Sequence, residues 1–365
     1  MSPSIQKIIG ALRQSSIALP QALIFEAASE NTENLDILFN IAIDCAQNNR
    51  LEQASGILNE LAILRKDDPG IFYSLGFIAS LKHEHEKAIA LYDKAIGLNP
   101  QDQAALINKG ASLNELKRYE EALCTLDRAI SFNPATTQAW SNKGTALNEL
   151  KRYEEALSHY EKALGLDPLF VEAWLNKGVT YAELKRYEEA LAHYNKALEI
   201  NPSDVEAWSN KGTALNELKR YEAAAQSFQK VLTLNPQFPF GKGVFLHAKL
   251  HACDWAGIDD LYRSICQDIS ENKKSADPFG FQGICDDEAL LKKCAEIFSL
   301  AKFPPLEKLH LGQVSKNHPK IRIGYLCGEF REQATSILMT ELWELHDKNQ
   351  FEIYAFDNGW DDQSP

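Results

Sequence analysis

The amino-acid sequence predicts a mainly α protein, a solenoid of stacked helix pairs that runs into a short α/β unit. Three observations carry this. The stretch AWSNKGTALNELKRYE occurs twice, at 139–154 and 207–222, and ELKRYE recurs at 115–120, 149–154, 183–188 and 217–222, always 34 residues apart. A fixed period of this size marks an array of supersecondary units, each covering the apolar face of its neighbour. Small residues and prolines hold constant phases of that period, and beyond residue 320 the pattern changes to two apolar runs of strand character around one of helical character.

Residues 1–34 read as an N-terminal helical cap. The stretch IIGALRQSSIALPQALIF is interrupted by Arg13, by the polar run 14–16 and by Pro20. It is therefore expected to be neither a signal peptide nor a membrane span. Residues 35–238 align as six units that start at 35, 69, 103, 137, 171 and 205. Position 8 is Gly76, Gly110, Gly144, Gly178 and Gly212 in units two to six, with Ala42 in the first. Position 20 is alanine throughout: Ala54, Ala88, Ala122, Ala156, Ala190 and Ala224. Small residues at both phases let the two helices of a unit cross closely. Trp140, Trp174 and Trp208 at position 4, with Tyr160, Tyr194 and Phe228 at position 24, fill the space between helices. Pro100, Pro134, Pro168, Pro202 and Pro236 close the second helix at position 32. The first unit has Lys66 there, followed by Pro69.

This pattern resembles the tetratricopeptide repeat over residues 35–238. The resemblance implies antiparallel helix pairs stacked into a right-handed superhelix with an inner groove. Position 6 stands two residues from both the position 4 aromatic and the position 8 glycine, about 200° around the helix from each, and so points away from the packed seam. Asn40, Asn108, Asn142, Asn176 and Asn210 occupy it, with Ser74 the exception. A primary amide both donates and accepts, so a ladder of amides suits the backbone of an extended peptide. The plainer reading is a set of solvated polar residues at exposed helical sites. The lysines at 109, 143, 177 and 211 and the glutamates of RYEEA read as a solvated stripe.

Residues 239–319 read as a degenerate seventh repeat and a helical linker. One further period places Trp255 and Tyr262 where Tyr221 and Phe228 stand, while glycine and alanine give way to Leu246 and Ile258. His247 and His251, four apart beside Cys253, have the spacing of metal ligands but no acidic or cysteine partner at a clear spacing, so no metal is expected. From 320 the chain reads as the start of a Rossmann-like lobe: KIRIGYLCGEF as a strand entering a loop, TSILMTELWELHD at 335–347 as a helix, FEIYAFD as a second strand.

The segments HAKLHACDWAGIDDLYRSI and DPFGFQGICDDEALLKKCAEIFS, and the order IRIGYL, EF, LWELHD, FEIYAF, DD, resemble the O-linked N-acetylglucosaminyltransferases, notably their bacterial relatives. The resemblance implies a reaction in which a peptide serine or threonine oxygen attacks UDP-N-acetylglucosamine. The family's loop histidine falls at Gln333, whose amide takes up no proton at neutral pH, and the family's uridine-diphosphate lobe lies later than residue 365. This chain alone is therefore expected to be inactive, with no catalytic residue of its own, no cofactor, and UDP-N-acetylglucosamine as donor only if the catalytic region were complete. Three readings follow: the acceptor-binding arm of such a transferase, a non-enzymatic protein-interaction scaffold, and one half of a split enzyme.

Composition limits the partners. The chain holds 38 basic and 51 acidic residues, a net charge of −13, which repels nucleic acid and anionic bilayers alike. Proteins or extended peptide segments are the expected partners, with neither nucleic acid nor membrane among them. Seven cysteines without a CxxC pair read as dispersed thiols, and the expected location is the cytoplasm.

Overall fold

The computed structural model describes residues 2–14, 21–303, 321–327 and 351–357, and divides the chain into two compact units, Met1–Ala301 and Lys302–Pro365. In the first unit α1 (Pro3–Gln14) and α2 (Gln21–Glu30) precede six helix pairs. These are α3 (Glu33–Gln47) with α4 (Leu51–Leu64), α5 (Pro69–Leu81) with α6 (His85–Leu98), and α7 (Gln103–Glu115) with α8 (Tyr119–Phe132). The array continues with α9 (Thr137–Glu149) and α10 (Tyr153–Leu166), α11 (Val171–Glu183) and α12 (Tyr187–Ile200), and α13 (Val205–Glu217) and α14 (Tyr221–Leu234).

The second to sixth pairs are fixed by the glycine at position 8. A Cβ at Gly76, Gly144, Gly178 or Gly212 would lie 2.5–2.7 Å from the ring of Tyr92, Tyr160, Tyr194 or Phe228, and one at Gly110 would lie 2.6 Å from Leu126. In these pairs the position 24 side chain thus rests directly on the backbone of the partner helix, which is why glycine stands there. The position 20 alanines are wholly buried in every pair. From the second pair onward the second helices stop two residues before proline: α10 ends at Leu166, and Asp167 turns extended ahead of Pro168. The Pro134, Pro168 and Pro202 carbonyls then accept the indole N–H of Trp140, Trp174 and Trp208 at 2.8, 2.9 and 3.0 Å, a polar tie between units.

The turn inside each pair is a Schellman closure without glycine. Lys117, Lys151, Lys185 and Lys219 take φ of 58–60°, the left-handed region, and the following arginine N–H reaches back five residues, as from Arg152 to the Leu147 carbonyl at 2.8 Å. That arginine also grips the glutamate three residues on: Arg152 Nε and Nη2 meet Glu155 at 2.8 Å each.

After the repeats, α15 (Gly241–His251) and α16 (Ile258–Ser270) form a shorter pair, followed by α17 (Pro278–Gln282) and α18 (Glu288–Lys302). Ile265, Ile269, Phe281 and Cys294 build a separate core there. Trp255 departs from its expected packing place and is 67% exposed, whereas Tyr262 stacks on Phe281. In the second unit β1 (Ile321–Cys327) pairs in parallel with β2 (Phe351–Asp357), in the register Ile321↔Phe351. The helix expected at 335–347 and Gln333 lie outside the described residues.

Candidate peptide-binding groove

Within the six pairs, the first helices α3, α5, α7, α9, α11 and α13 each pack against the next first helix, while the second helices make no comparable contact with one another. The first helices therefore lie on the inner side of the stack, the candidate binding face. Position 6 lies on these helices, but its five asparagines are not equivalent. Asn40 is exposed, beside a cavity of about 410 Å³ bordered by Ile9 and Ile37, and Asn210 is half-buried; neither side chain forms a hydrogen bond with the described residues. The Asn108 amide donates to the Tyr73 hydroxyl at 3.0 Å, and that of Asn176 to the Thr145 hydroxyl at 3.3 Å, each reaching back to the preceding repeat. Burial raises the pKa of the Tyr73 hydroxyl, so it stays protonated as the acceptor of that bond. Both asparagines keep a free side-chain carbonyl.

Asn142 corrects the expectation of five exposed amides, being only 6% exposed. Its Oδ1 accepts from Gln138 Nε2 at 3.0 Å, its backbone carbonyl accepts from Asn114 Nδ2 at 2.9 Å, and its own Nδ2 is buried without a partner. The cause is local: among the units that carry asparagine at position 6, only the fourth has glutamine at position 2, one turn below. The ladder thus has a gap in its middle.

The lysine stripe is also corrected. Lys109 meets Asp93 at 2.6 Å, Lys177 meets Glu161 at 2.9 Å, and Lys143 pairs with Asp127, each acid lying on the second helix of the preceding repeat. Lys177 is 8% exposed. These ion pairs are seams between repeats, and the recurrence of Asp or Glu sixteen residues before each lysine is the sequence signal for them. Aromatic contacts form a second seam: His159 lies over Trp140 at 5.3 Å between ring centroids, and His193 over Trp174 at 5.5 Å and Tyr181 at 5.0 Å. Burial pulls both imidazoles down to about 4, and neither Nδ1 has a partner.

The His247 and His251 rings sit 4.3 Å apart, and His251 stacks on Tyr221. Among the described residues no three metal-donor side chains come together. The cysteines with described side chains are unpaired, and no helix of the described residues is long and apolar enough to cross a membrane.

Residues 137–169, 171–204 and 205–238 match one tetratricopeptide-repeat family model, and 81–143 match a second. The solenoid is built of tetratricopeptide repeats. A comparison with curated proteins finds no match. Among solved structures, MamA from residue 41 onward of Desulfovibrio magneticus RS-1 is 26% identical, covering 47% of this chain and 96% of that one, with a TM-score of 0.42. YrrB, described as a tetratricopeptide-repeat protein with an unusual peptide-binding site, is 23% identical over 53% of this chain and 96% of its own, with a TM-score of 0.39. PilF of Pseudomonas aeruginosa is 21% identical over 56% and 93%, with a TM-score of 0.48. At these scores the three likenesses carry no functional argument.

Proposed function

We propose that the tetratricopeptide-repeat array is a protein-interaction scaffold that holds an extended segment of a partner along its first helices. The observation that carries this reading is the set of accessible amides on the groove-lining helices. Asn40 and Asn210 have both amide functions free, and Asn108 and Asn176 each keep a carbonyl, all in the same helical phase. An extended backbone presents donors and acceptors at regular steps and matches such a row without demanding particular side chains. The reading calls for no cofactor. It is tested by selecting peptides on the wild-type protein from a displayed random library and screening them against the Asn40→Ala/Asn108→Ala/Asn176→Ala/Asn210→Ala variant. The expected result is peptides that the variant does not retain. Peptides retained equally by both would contradict the groove.

The parallel pairing of β1 and β2 favours a second, finer reading. Parallel neighbours need a long crossover between them, as the βαβ start of the transferase lobe would provide. On that reading the bound segment is the acceptor for sugar transfer. Because the uridine-diphosphate lobe would lie later than residue 365 on that reading, the test is the composition of the library-selected peptides: a serine or threonine recurring at one fixed place would move the transferase reading ahead of the scaffold, and its absence would count against it.

A further inference from the structure

The sixth repeat breaks both seams at once. Where Lys109, Lys143 and Lys177 each meet an acid on the preceding second helix, the residue sixteen before Lys211 is Asn195, an amide. Where His159 and His193 cover Trp140 and Trp174, the corresponding residue is Ser227, whose hydroxyl turns back to its own helix at the Ala223 carbonyl, 2.9 Å away. Tyr181, the second ring over His193, is replaced by Leu215. Where Ser227 leaves the ring out lies a cavity of about 570 Å³ between α13 and α14, bordered by Trp208, Lys211, Leu215, Gln226, Ser227 and Lys230.

Trp208 and Lys211 set the chemistry of this cavity. The Trp208 indole is fixed by its bond to the Pro202 carbonyl at 3.0 Å. Lys211 Nζ sits 4.8 Å from the indole centroid and forms no ion pair with the described residues. Desolvation lowers its pKa, as for an ammonium without a counter-ion. Lys230 adds a second positive charge at the rim. A half-buried ammonium without a counter-ion, lying over an indole ring, favours an anion that also carries a flat ring.

The chain itself shows what fits. In repeats four and five an imidazole ring, His159 or His193, fills the phase of Ser227 against the tryptophan, and the lysine's charge is met by a carboxylate, Asp127 or Glu161, from the preceding second helix. We infer that the cavity of repeat six binds the aromatic C-terminal residue of a partner peptide, its ring over Trp208 and its α-carboxylate on Lys211. The site is separate from the asparagine row and does not depend on the groove reading. Its size lies in the range of preformed small-ligand pockets, roughly 300–1,000 Å³.

The test is calorimetric titration of the full chain with N-acetyl-Gly-Gly-Phe as the free acid, the same peptide as its C-terminal amide, N-acetyl-Gly-Gly-Ala, and 3-phenylpropionate. The free acid is expected to bind, with the amide and the alanine peptide at least about tenfold weaker. Asn195→Asp supplies the missing acid and Ser227→His the missing ring, each borrowed from a neighbouring repeat. Both variants, and the pair together, are expected to keep the helical spectrum and melting temperature while weakening the free acid at least about tenfold. Absence of binding by the free acid, or equal binding by the folded variants, would overturn the inference. Binding of 3-phenylpropionate as tight as that of the tripeptide would overturn its assignment to a peptide terminus.

Discussion

A Cβ placed on Gly144 would lie 2.6 Å from Cε1 of Tyr160, far inside van der Waals contact. Gly165, near the C-terminal end of α10, has nothing within 4 Å of the same added atom. The two glycines separate packing from helix propensity. Gly144→Ala is expected to cost about 1–3 kcal/mol, because the wholly buried ring has nowhere to move. Gly165→Ala is expected to gain up to about 1 kcal/mol by the preference of a helix for alanine. Urea unfolding followed by circular dichroism checks both, and a neutral Gly144→Ala would mean the helix pair is looser than the contact implies.

The turn lysines make a backbone prediction. Lys151 holds φ near 60° without glycine's freedom. Lys151→Gly is expected to raise stability by up to about 1 kcal/mol, the relief of left-handed strain exceeding the added entropy of the unfolded chain. Lys151→Val is expected to lower it by a similar amount or more, since a branched Cβ crowds that conformation further. Thermal melts of the two variants should move in opposite directions.

The stacked histidines predict a pH dependence. Burial holds His159 and His193 near 4, below their ordinary value of 6.5, so the folded state binds fewer protons than the unfolded state between these values. Their contribution is complete above about pH 6.5 and is lost as pH falls toward 4. His159→Gln/His193→Gln is expected to show a smaller fall in melting temperature than wild type between about pH 7 and about pH 5. An identical fall in both proteins would show that these imidazoles do not set the dependence.

The period of 34 made the helix pairs readable because one contact, position 8 against position 24, repeats with little change from Gly76–Tyr92 to Gly212–Phe228. The contacts that depend on a difference between repeats were less readable. Asn142 is buried through Gln138, a residue outside the repeated consensus, and Lys177 is buried through Glu161, on the preceding repeat. The Trp174 bond to the Pro168 carbonyl joins two residues whose packing roles were clear from their phases while the polar tie between them was not. The site at Lys211 follows from two substitutions, Asn195 and Ser227, whose meaning depends on the seams they interrupt.

The measurement that bears most directly on the scaffold reading is the dissociation constant of a library-selected peptide, by fluorescence anisotropy, on three proteins that first pass circular dichroism. The wild type sets the reference. Asn142→Ala, which removes the buried amide, is expected to change binding by no more than about twofold. The variant with Asn40, Asn108, Asn176 and Asn210 all replaced by alanine is expected to bind at least about tenfold more weakly, or roughly 1.4 kcal/mol, a modest sum for four lost amide contacts. Unchanged binding by that folded variant, or a larger loss from Asn142→Ala alone, would contradict the account.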